Sequence, residues 1–267
     1  MPSYVVTGAN RGLGYAFVTH LAAIPGNTVL GLARKKQALE ERLAKDGIKN
    51  VHVLAADITD VKALKAAADE TAKITGGTLD VLVNNAGLVS DKSSWLTLVD
   101  GTPDDVEADL MSSFKVNVVG VVHTINAFLP LIRKAEQKKI ITLSTGMADL
   151  DLVNQFSLPI AAPYSISKAA VNMMVAKYNA ALGESEGILF LGISPGFVDT
   201  SEGAPVSEQD MAGGQAMGAK FAAYAPHFTG PITSEESVKM QMEVINKATV
   251  KTSGGAFVSH FGNKQWL

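Results

Sequence analysis

The chain has no cysteine among its 267 residues, so neither disulfides nor thiolate chemistry can contribute to it. A chain without disulfides suits a reducing compartment, and a cytoplasmic location is expected. Charge of one sign is also scarce. The 23 Lys and Arg against 26 Asp and Glu leave a net charge of −3, and no basic stripe runs along any segment. Binding to nucleic acid or to an anionic membrane surface is therefore not expected. No uninterrupted apolar run approaches the length of a membrane span. Met1-Pro2-Ser3-Tyr4 leads at once into an apolar run, without the basic and hydrophobic regions of a signal peptide, and none is expected. The five histidines, His20, His52, His123, His227 and His260, share no metal-ligand spacing with the carboxylates, so no metal is expected. Pro/Ser-rich linkers, internal repeats and low-complexity tracts are missing too, which predicts one domain over 1–267.

What is present is apolar and rhythmic. Hydrophobic residues make up 47% and charged ones only 18%, enough to bury a sizeable core. Short β-rich runs occur at Tyr4–Thr7, Thr28–Leu32, Val51–Ala55, Leu79–Val83, Ile140–Leu143 and Leu189–Ile193. Most are continuously apolar, as strands buried on both faces of a parallel sheet are. Between them lie stretches of helical spacing at 12–23, 36–46, 60–74, 104–135 and 164–185. The β-α-β-α order predicts an α/β fold: a Rossmann-like, doubly wound parallel sheet flanked by helices. The segment 201–234 breaks this rhythm with Gly203, Gly213, Gly214, Gly218 and Gly230 among Met211, Met217, Phe221, Ala222 and Tyr224. It reads either as a lid over a substrate or as a helical hairpin packed permanently on the domain.

The first strand runs into Thr7-Gly8-Ala9-Asn10-Arg11-Gly12-Leu13-Gly14 and then into a helix. Glycines at 8, 12 and 14 allow a tight turn and close approach of backbone to a ligand, and the helix N-terminus offers free N–H groups to a pyrophosphate. NAD-binding units place an acidic residue about 20 positions further on to hold the ribose 2′-hydroxyl. Here the second strand ends Gly31-Leu32-Ala33-Arg34-Lys35-Lys36, without a carboxylate. Arg34 and Arg11 are the candidates to hold a 2′-phosphate, which favours NADP(H). The other reading of Arg34 is a basic surface turn opening the next helix.

In the stretch Ala161-Ala162-Pro163-Tyr164-Ser165-Ile166-Ser167-Lys168, Tyr164 and Lys168 lie one helical turn apart and share a face. Alone, that is an ordinary helix face. Together with TGANRGLG (7–14), DI (57–58), NNAG (84–87), KVN (115–117), YSISK (164–168) and PGFVDT (195–200), the chain resembles the short-chain dehydrogenase/reductase family. The motifs come in family order from Val5 to Thr200, and SGGAFVSHFG (253–262) is similar to the family's last strand.

The resemblance implies a role for each motif. Asp57 and Ile58 would edge the adenine, Asn84, Asn85, Ala86 and Gly87 would lie beneath the cofactor ribose, and Gly8, Asn10, Arg11, Gly12, Leu13 and Gly14 would cradle the phosphates. Asn117 matches a helix asparagine that holds a water leading to the lysine, although a mid-helix Asn satisfied by a carbonyl is the commoner case. Pro195, Gly196, Val198 and Thr200 match the segment that fixes the nicotinamide carboxamide. Tyr164 would donate a proton to a carbonyl oxygen while hydride reaches carbon; Lys168 and the oxidised nicotinamide would lower its pKa, ordinarily about 10, and Lys168 would also hold the ribose.

The family's usual serine after the fifth strand is displaced. Leu143-Ser144-Thr145-Gly146 puts Thr145 in its register and leaves Ser144 as the second candidate. A threonine hydroxyl donates the same hydrogen bond, with a methyl group that narrows the site. The loop from Thr145 to Tyr164 is long for the family and apolar. Met147 and Phe156 from it, with Trp95, Met211 and Phe221, are the candidate walls of a pocket for a bulky apolar or aromatic carbonyl compound, unless they pack only on each other. The long loop also resembles that of fungal secondary-metabolite ketoreductases and of small carbonyl reductases. The leading expectation is an NADPH-dependent ketone or aldehyde reductase. A catalytically silent NADP(H)-binding regulator, and a non-redox reaction such as epimerisation, dehydration or cyclisation, stand beside it. Helices 104–135 and 164–185 are long enough to pair between subunits, so a homodimer or homotetramer stays open.

Overall fold

Each apolar run becomes a strand because its alternate residues find a helix layer on opposite sides. The computed structural model describes residues 1–203, 208–225 and 228–267, so His227 and parts of the 201–234 segment lie outside the described residues. Seven strands, β1 (Ser3–Thr7), β2 (Thr28–Ala33), β3 (Val51–Ala55), β4 (Val81–Asn84), β5 (Lys139–Leu143), β6 (Leu189–Ser194) and β7 (Phe257–Ser259), pair in the order β3-β2-β1-β4-β5-β6-β7. Every pairing is parallel.

Val6, Val83, Ile141 and Leu191 point to one face, where α1 (Gly12–Ala22), α2 (Lys36–Lys45) and α10 (Ser234–Lys247) cover them. Val5, Leu82, Ile140 and Phe190 point to the other, under α3 (Val61–Thr75), α5 (Val121–Ile132) and α7 (Ala162–Tyr178). Phe17, Phe128 and Phe190 are among the largest fully buried side chains. Each such burial is worth roughly 1.5–3 kcal/mol.

Two helical stretches carry irregularities where the sequence suggests continuous helices. Between α4 (Pro103–Phe114) and α5 runs a π-helical turn, Lys115–Gly120, which contains Asn117. A second, Asn179–Gly183, joins α7 to the short α8 (Glu184–Glu186). A π turn inserts an extra residue and re-aims the side chains around it. The run Pro103–Ile132 is 30 residues long and its most apolar stretch has the length and composition of a membrane span, yet 56% of that stretch is buried in the domain.

The long loop before Tyr164 is partly helical: Gly146–Ala148 forms a 3₁₀ turn and α6 covers Leu150–Phe156, capped by Asp149, whose carboxylate accepts the Leu152 N–H at 3.1 Å. The described part of 201–234 holds one long helix, α9 (Glu208–Tyr224), rather than a hairpin. The short α11 (Val250–Ser253) leads into β7.

A third apolar cluster, separate from the sheet, joins these late elements. Leu152 and Leu158 meet Met217 and Phe221 of α9 and Trp266 near the C-terminus, with Trp95, Phe156 and Tyr224 packed around them. Trp266 is 3% exposed, stacks on Phe257 at 4.5 Å between ring centroids, and donates its backbone N–H to the Tyr224 hydroxyl at 3.0 Å. Trp266→Ala is expected to cost about 3 kcal/mol, read as a lowered midpoint in urea unfolding. A change within about 0.5 kcal/mol would mean that the cluster contributes little.

Candidate active site

The strand order reverses between β1 and β4, and the carboxyl ends of those two strands face the crevice where open parallel sheets bind ligands. Thr7 ties them together: its hydroxyl accepts the backbone N–H groups of Asn85 at 3.1 Å and Ala86 at 3.0 Å. The Asn85 amide donates to Thr7 O at 2.8 Å and to Gly8 O at 3.3 Å. Gly8 has φ +67°, and a Cβ there would lie 2.9 Å from the Ala86 Cα; one on Gly14 would lie 2.2 Å from the Gly8 oxygen. Only glycine fits either place. The glycine loop is thus packed tightly against Asn85 and Ala86 at the end of β4.

The N-terminus of α1 already holds an anion. The Gly12 N–H donates to a carboxylate oxygen of Glu202 at 2.8 Å, and Arg42 grips that carboxylate at 2.9 and 3.0 Å. Neither residue stands out in the sequence, since 160 positions separate them. Thr200 packs on Gly12, placing the 195–200 segment over the glycine loop. That segment is held by a bridge of Val198 to Ile232 and by the Ser237 hydroxyl, which donates to Pro195 O at 2.6 Å. Beneath it, His260 is buried with Nδ1 unpaired, and burial pushes its imidazole down to about 4. Neutral at physiological pH, it packs against Gly196, where a Cβ would approach it to 2.6 Å.

Arg11 and Arg34 are exposed at the rim, and among the described residues neither forms an ion pair. Asp57 turns onto Thr59, whose backbone N–H bonds it at 2.8 Å. That bond, above all, holds the Asp57 carboxyl below its usual range, with smaller help from the Thr59 hydroxyl, Arg34 and Lys115. Ile58 is buried next to it, against Gly120 of the π turn. Asn84 is buried, donating to Thr142 at 3.3 Å and leaving its Oδ1 unpaired. Leu13 and Asn10 complete the glycine loop; the Asn10 carbonyl accepts from Arg42 at 3.2 Å.

Across the crevice, Tyr164 sits in the first turn of α7. Thr145 lies near enough to its hydroxyl to work against the rise in its pKa. Ser144, one residue earlier and so on the opposite face of the chain, is 2% exposed and its hydroxyl has no partner. Lys168 is buried, its Nζ donating to Leu143 O at 2.7 Å and lying 5.8 Å from the Tyr164 ring centre. Asn117 is fully satisfied: it accepts the Leu88 N–H at 2.7 Å and donates to Leu88 O at 2.9 Å and to Ser167 at 2.8 Å. Ser167 in turn donates to the Tyr164 carbonyl at 2.6 Å. The π turn, the loop after β4 and the first turn of α7 are therefore locked to one another. A Cβ on Gly87 would lie 3.3 Å from the Asn117 oxygen and 3.5 Å from the Lys168 Nζ, so all three meet at one spot.

The electrostatics differ from the expectation of an acidified tyrosine. Burial pushes the Tyr164 hydroxyl up to about 12, with Thr145 working against it, and burial pushes Lys168 down to about 8. Burial dominates at both groups, and the Lys168 ammonium is aimed at the Leu143 carbonyl.

The proposed pocket residues do not form one wall. Trp95, Phe156 and Phe221 belong to the third apolar cluster, and Trp95 lies so close to Gly213 that a Cβ there would approach it to 2.2 Å. Met147 is half-buried in the 3₁₀ turn beside Thr145, and Met211 is 51% exposed on α9.

This arrangement can be compared with known proteins. The family model for short chain dehydrogenases matches residues 3–211. The chain is a short-chain dehydrogenase. Among curated relatives of this family, the short-chain dehydrogenase/reductase AacuF of Aspergillus aculeatus is 55% identical over 267 residues and the short chain dehydrogenase virK of Hypocrea virens 47% identical over 272, each match covering 100% of both chains. Among solved structures, the NADPH-bound carbonyl reductase from chicken fatty liver superposes with a TM-score of 0.76 at 27% identity, covering 98% of each chain. The carbonyl reductase Sniffer of D. melanogaster shares the fold, with a TM-score of 0.77, 24% identity and 98% coverage of each chain.

Short-chain dehydrogenases use a nicotinamide cofactor, and the residues present fit one. The Gly12 N–H at the start of α1 already donates to an anionic oxygen, that of Glu202. Gly8, Gly12 and Gly14 would hold the phosphates, and Gly87 and Lys168 would face the ribose.

Proposed function

We propose that this short-chain dehydrogenase reduces a ketone or aldehyde with NADPH, reversibly, and that its substrate is a bulky apolar or aromatic carbonyl compound. The observation that carries the reading is the juxtaposition of the Thr145 and Tyr164 hydroxyls, close enough that Thr145 works against the rise in the Tyr164 pKa, with Lys168 buried one turn further along α7. Two neighbouring hydroxyls can both reach one carbonyl oxygen, one as proton donor and the other as a fixed hydrogen-bond donor. The bound nicotinamide supplies the hydride. Tyr164, protonated across the neutral range, delivers the proton to the oxygen. Thr145 orients that oxygen and steadies its developing charge. Lys168, still largely cationic below about 8, favours the tyrosinate left behind. Asn117 and Ser167 fix the turn that carries Tyr164.

The cofactor preference rests on Arg34 and Arg11, exposed guanidinium groups without an ion-pair partner among the described residues. The NADPH bound to the chicken carbonyl reductase is consistent with it. A bulky apolar substrate rests on the long apolar loop between Thr145 and Tyr164, which leaves Met147 half-buried beside Thr145. The test is oxidation of NADPH and of NADH, followed by absorbance, against a panel of small and polycyclic ketones. Arg34→Asp is expected to shift the NADPH/NADH ratio of kcat/KM by about 10-fold or more towards NADH. An unchanged ratio would overturn the assignment of Arg34.

A further inference from the structure

We propose that Arg42 is a cofactor-phosphate-binding residue and that Glu202 is an internal anion which occupies the phosphate position until the dinucleotide displaces it. The proposal rests on the nicotinamide-cofactor reading but not on the choice of carbonyl substrate.

The first free N–H of a helix that follows a glycine loop is where a dinucleotide unit receives a phosphate oxygen. Here that N–H, on Gly12, is taken by the Glu202 carboxylate at 2.8 Å. The same carboxylate accepts Arg42 through both oxygens, at 2.9 and 3.0 Å. Arg42 is itself fixed in place. It lies over the Tyr15 ring at 3.7 Å and donates to the carbonyl of Asn10 within the glycine loop at 3.2 Å. Tyr15 in turn is anchored through its hydroxyl to Asp46 at 2.5 Å. The cation therefore belongs to the scaffold, whereas the anion comes from outside it.

Glu202 sits at φ +53°, a left-handed conformation that non-glycine residues seldom adopt, so its placement is held by the contacts it makes. A carboxylate and a phosphate cannot share one N–H hydrogen, and two anions side by side repel. Cofactor binding must therefore detach Glu202 and leave Arg42 to pair with the incoming phosphate. Because Glu202 follows Thr200, which packs on Gly12, the exchange also frees the start of the segment that leads to α9. The chain then reports an empty cradle through a closed 200–202 turn and a filled one through its release.

The experiment is a titration of wild type, Glu202→Gln, Arg42→Ala and the double variant with NADPH, read by nucleotide fluorescence. Amide hydrogen exchange at Gly12 is measured in parallel on wild type and Glu202→Ala. Removing the competitor should tighten NADPH binding by about 3–10-fold in Glu202→Gln. Adding Arg42→Ala to it should weaken binding by about 5–10-fold relative to Glu202→Gln. The Gly12 amide should exchange slowly in free wild type, fast in free Glu202→Ala, and slowly again in both once NADPH is bound. Equal or weaker binding by Glu202→Gln, or an unprotected Gly12 amide in free wild type, would overturn the proposal while leaving the cofactor reading intact. Absence of binding to NADPH and NADH by all of the proteins would overturn both.

Discussion

Tyr164→Phe should lower kcat for carbonyl reduction by about 10³-fold or more while leaving the Kd for NADPH within about 2-fold. The expectation follows from what the substitution removes. The ring stays in the first turn of α7 and the Ser167 bond to the Tyr164 backbone carbonyl is untouched, so the local fold is preserved. Only the hydroxyl, which lies near Thr145, is lost. General acid catalysis by a positioned group is worth about 10²–10⁴-fold. Turnover unchanged in a variant that still binds NADPH would end the mechanism.

The same pair of groups gives the pH dependence its direction. Tyr164 titrates near about 12 and so remains a donor through the neutral range, whereas Lys168 loses its charge near about 8. Reduction should therefore slow as pH rises through about 8, where the cation that favours tyrosinate disappears. A rate that increased over that interval would assign the proton to another group.

Thr145→Val should cost about 10²-fold in kcat/KM, with Ser144→Ala close to wild type. Valine keeps the shape and the χ1 preference of threonine, so the loss reports the hydroxyl. A single fixed donor to a developing oxyanion is worth about 10²–10³-fold. The Thr145 hydroxyl also accepts the Met147 N–H at 3.3 Å, capping the 3₁₀ turn, and losing a cap costs about 1 kcal/mol of stability. Thr145→Ser keeps the hydroxyl and should recover most of the activity, which ties the loss to the hydroxyl rather than to the methyl group. Ser144 has a buried hydroxyl with no partner, so its removal leaves nothing unpaired. If Ser144→Ala were the damaging change, the two residues would have to exchange roles.

The sheet was legible because apolar runs of strand length, separated by helical spacing, admit few topologies. Ser3–Thr7 and Val51–Ala55 fall within a residue of the apolar runs that announce them. The glycine loop was legible for a similar reason: strand, glycines and helix follow one another without a gap, and the chemistry is local. The π turn around Asn117 left no trace, since one extra residue in a helix does not disturb the 3.6-residue pattern enough to be seen. Nor did α6, whose seven residues are too short for periodicity to separate from a loop. Arg42 and Glu202 were invisible for a different reason. Each reads as a surface charge, and their meeting at Gly12 depends on tertiary contacts across 160 positions. The third apolar cluster is equally non-local, joining residues near 95, 156, 221 and 266.

The Thr7 hydroxyl that holds Asn85 and Ala86 has a consequence for how the protein comes into being. These partners are 78 and 79 positions away, so the ligand crevice closes only after β4 has threaded in beside β1. Strands β1 to β3 pair among near neighbours and can assemble early, but a chain halted there has the glycine turn without the wall behind it. Contacts of such sequence separation form late and slowly. Nucleotide then has affinity for the finished sheet alone, and its stabilisation grows as RT ln(1 + [L]/Kd). Cofactor thus stabilises the state in which β1 and β4 are joined over the state in which they are not.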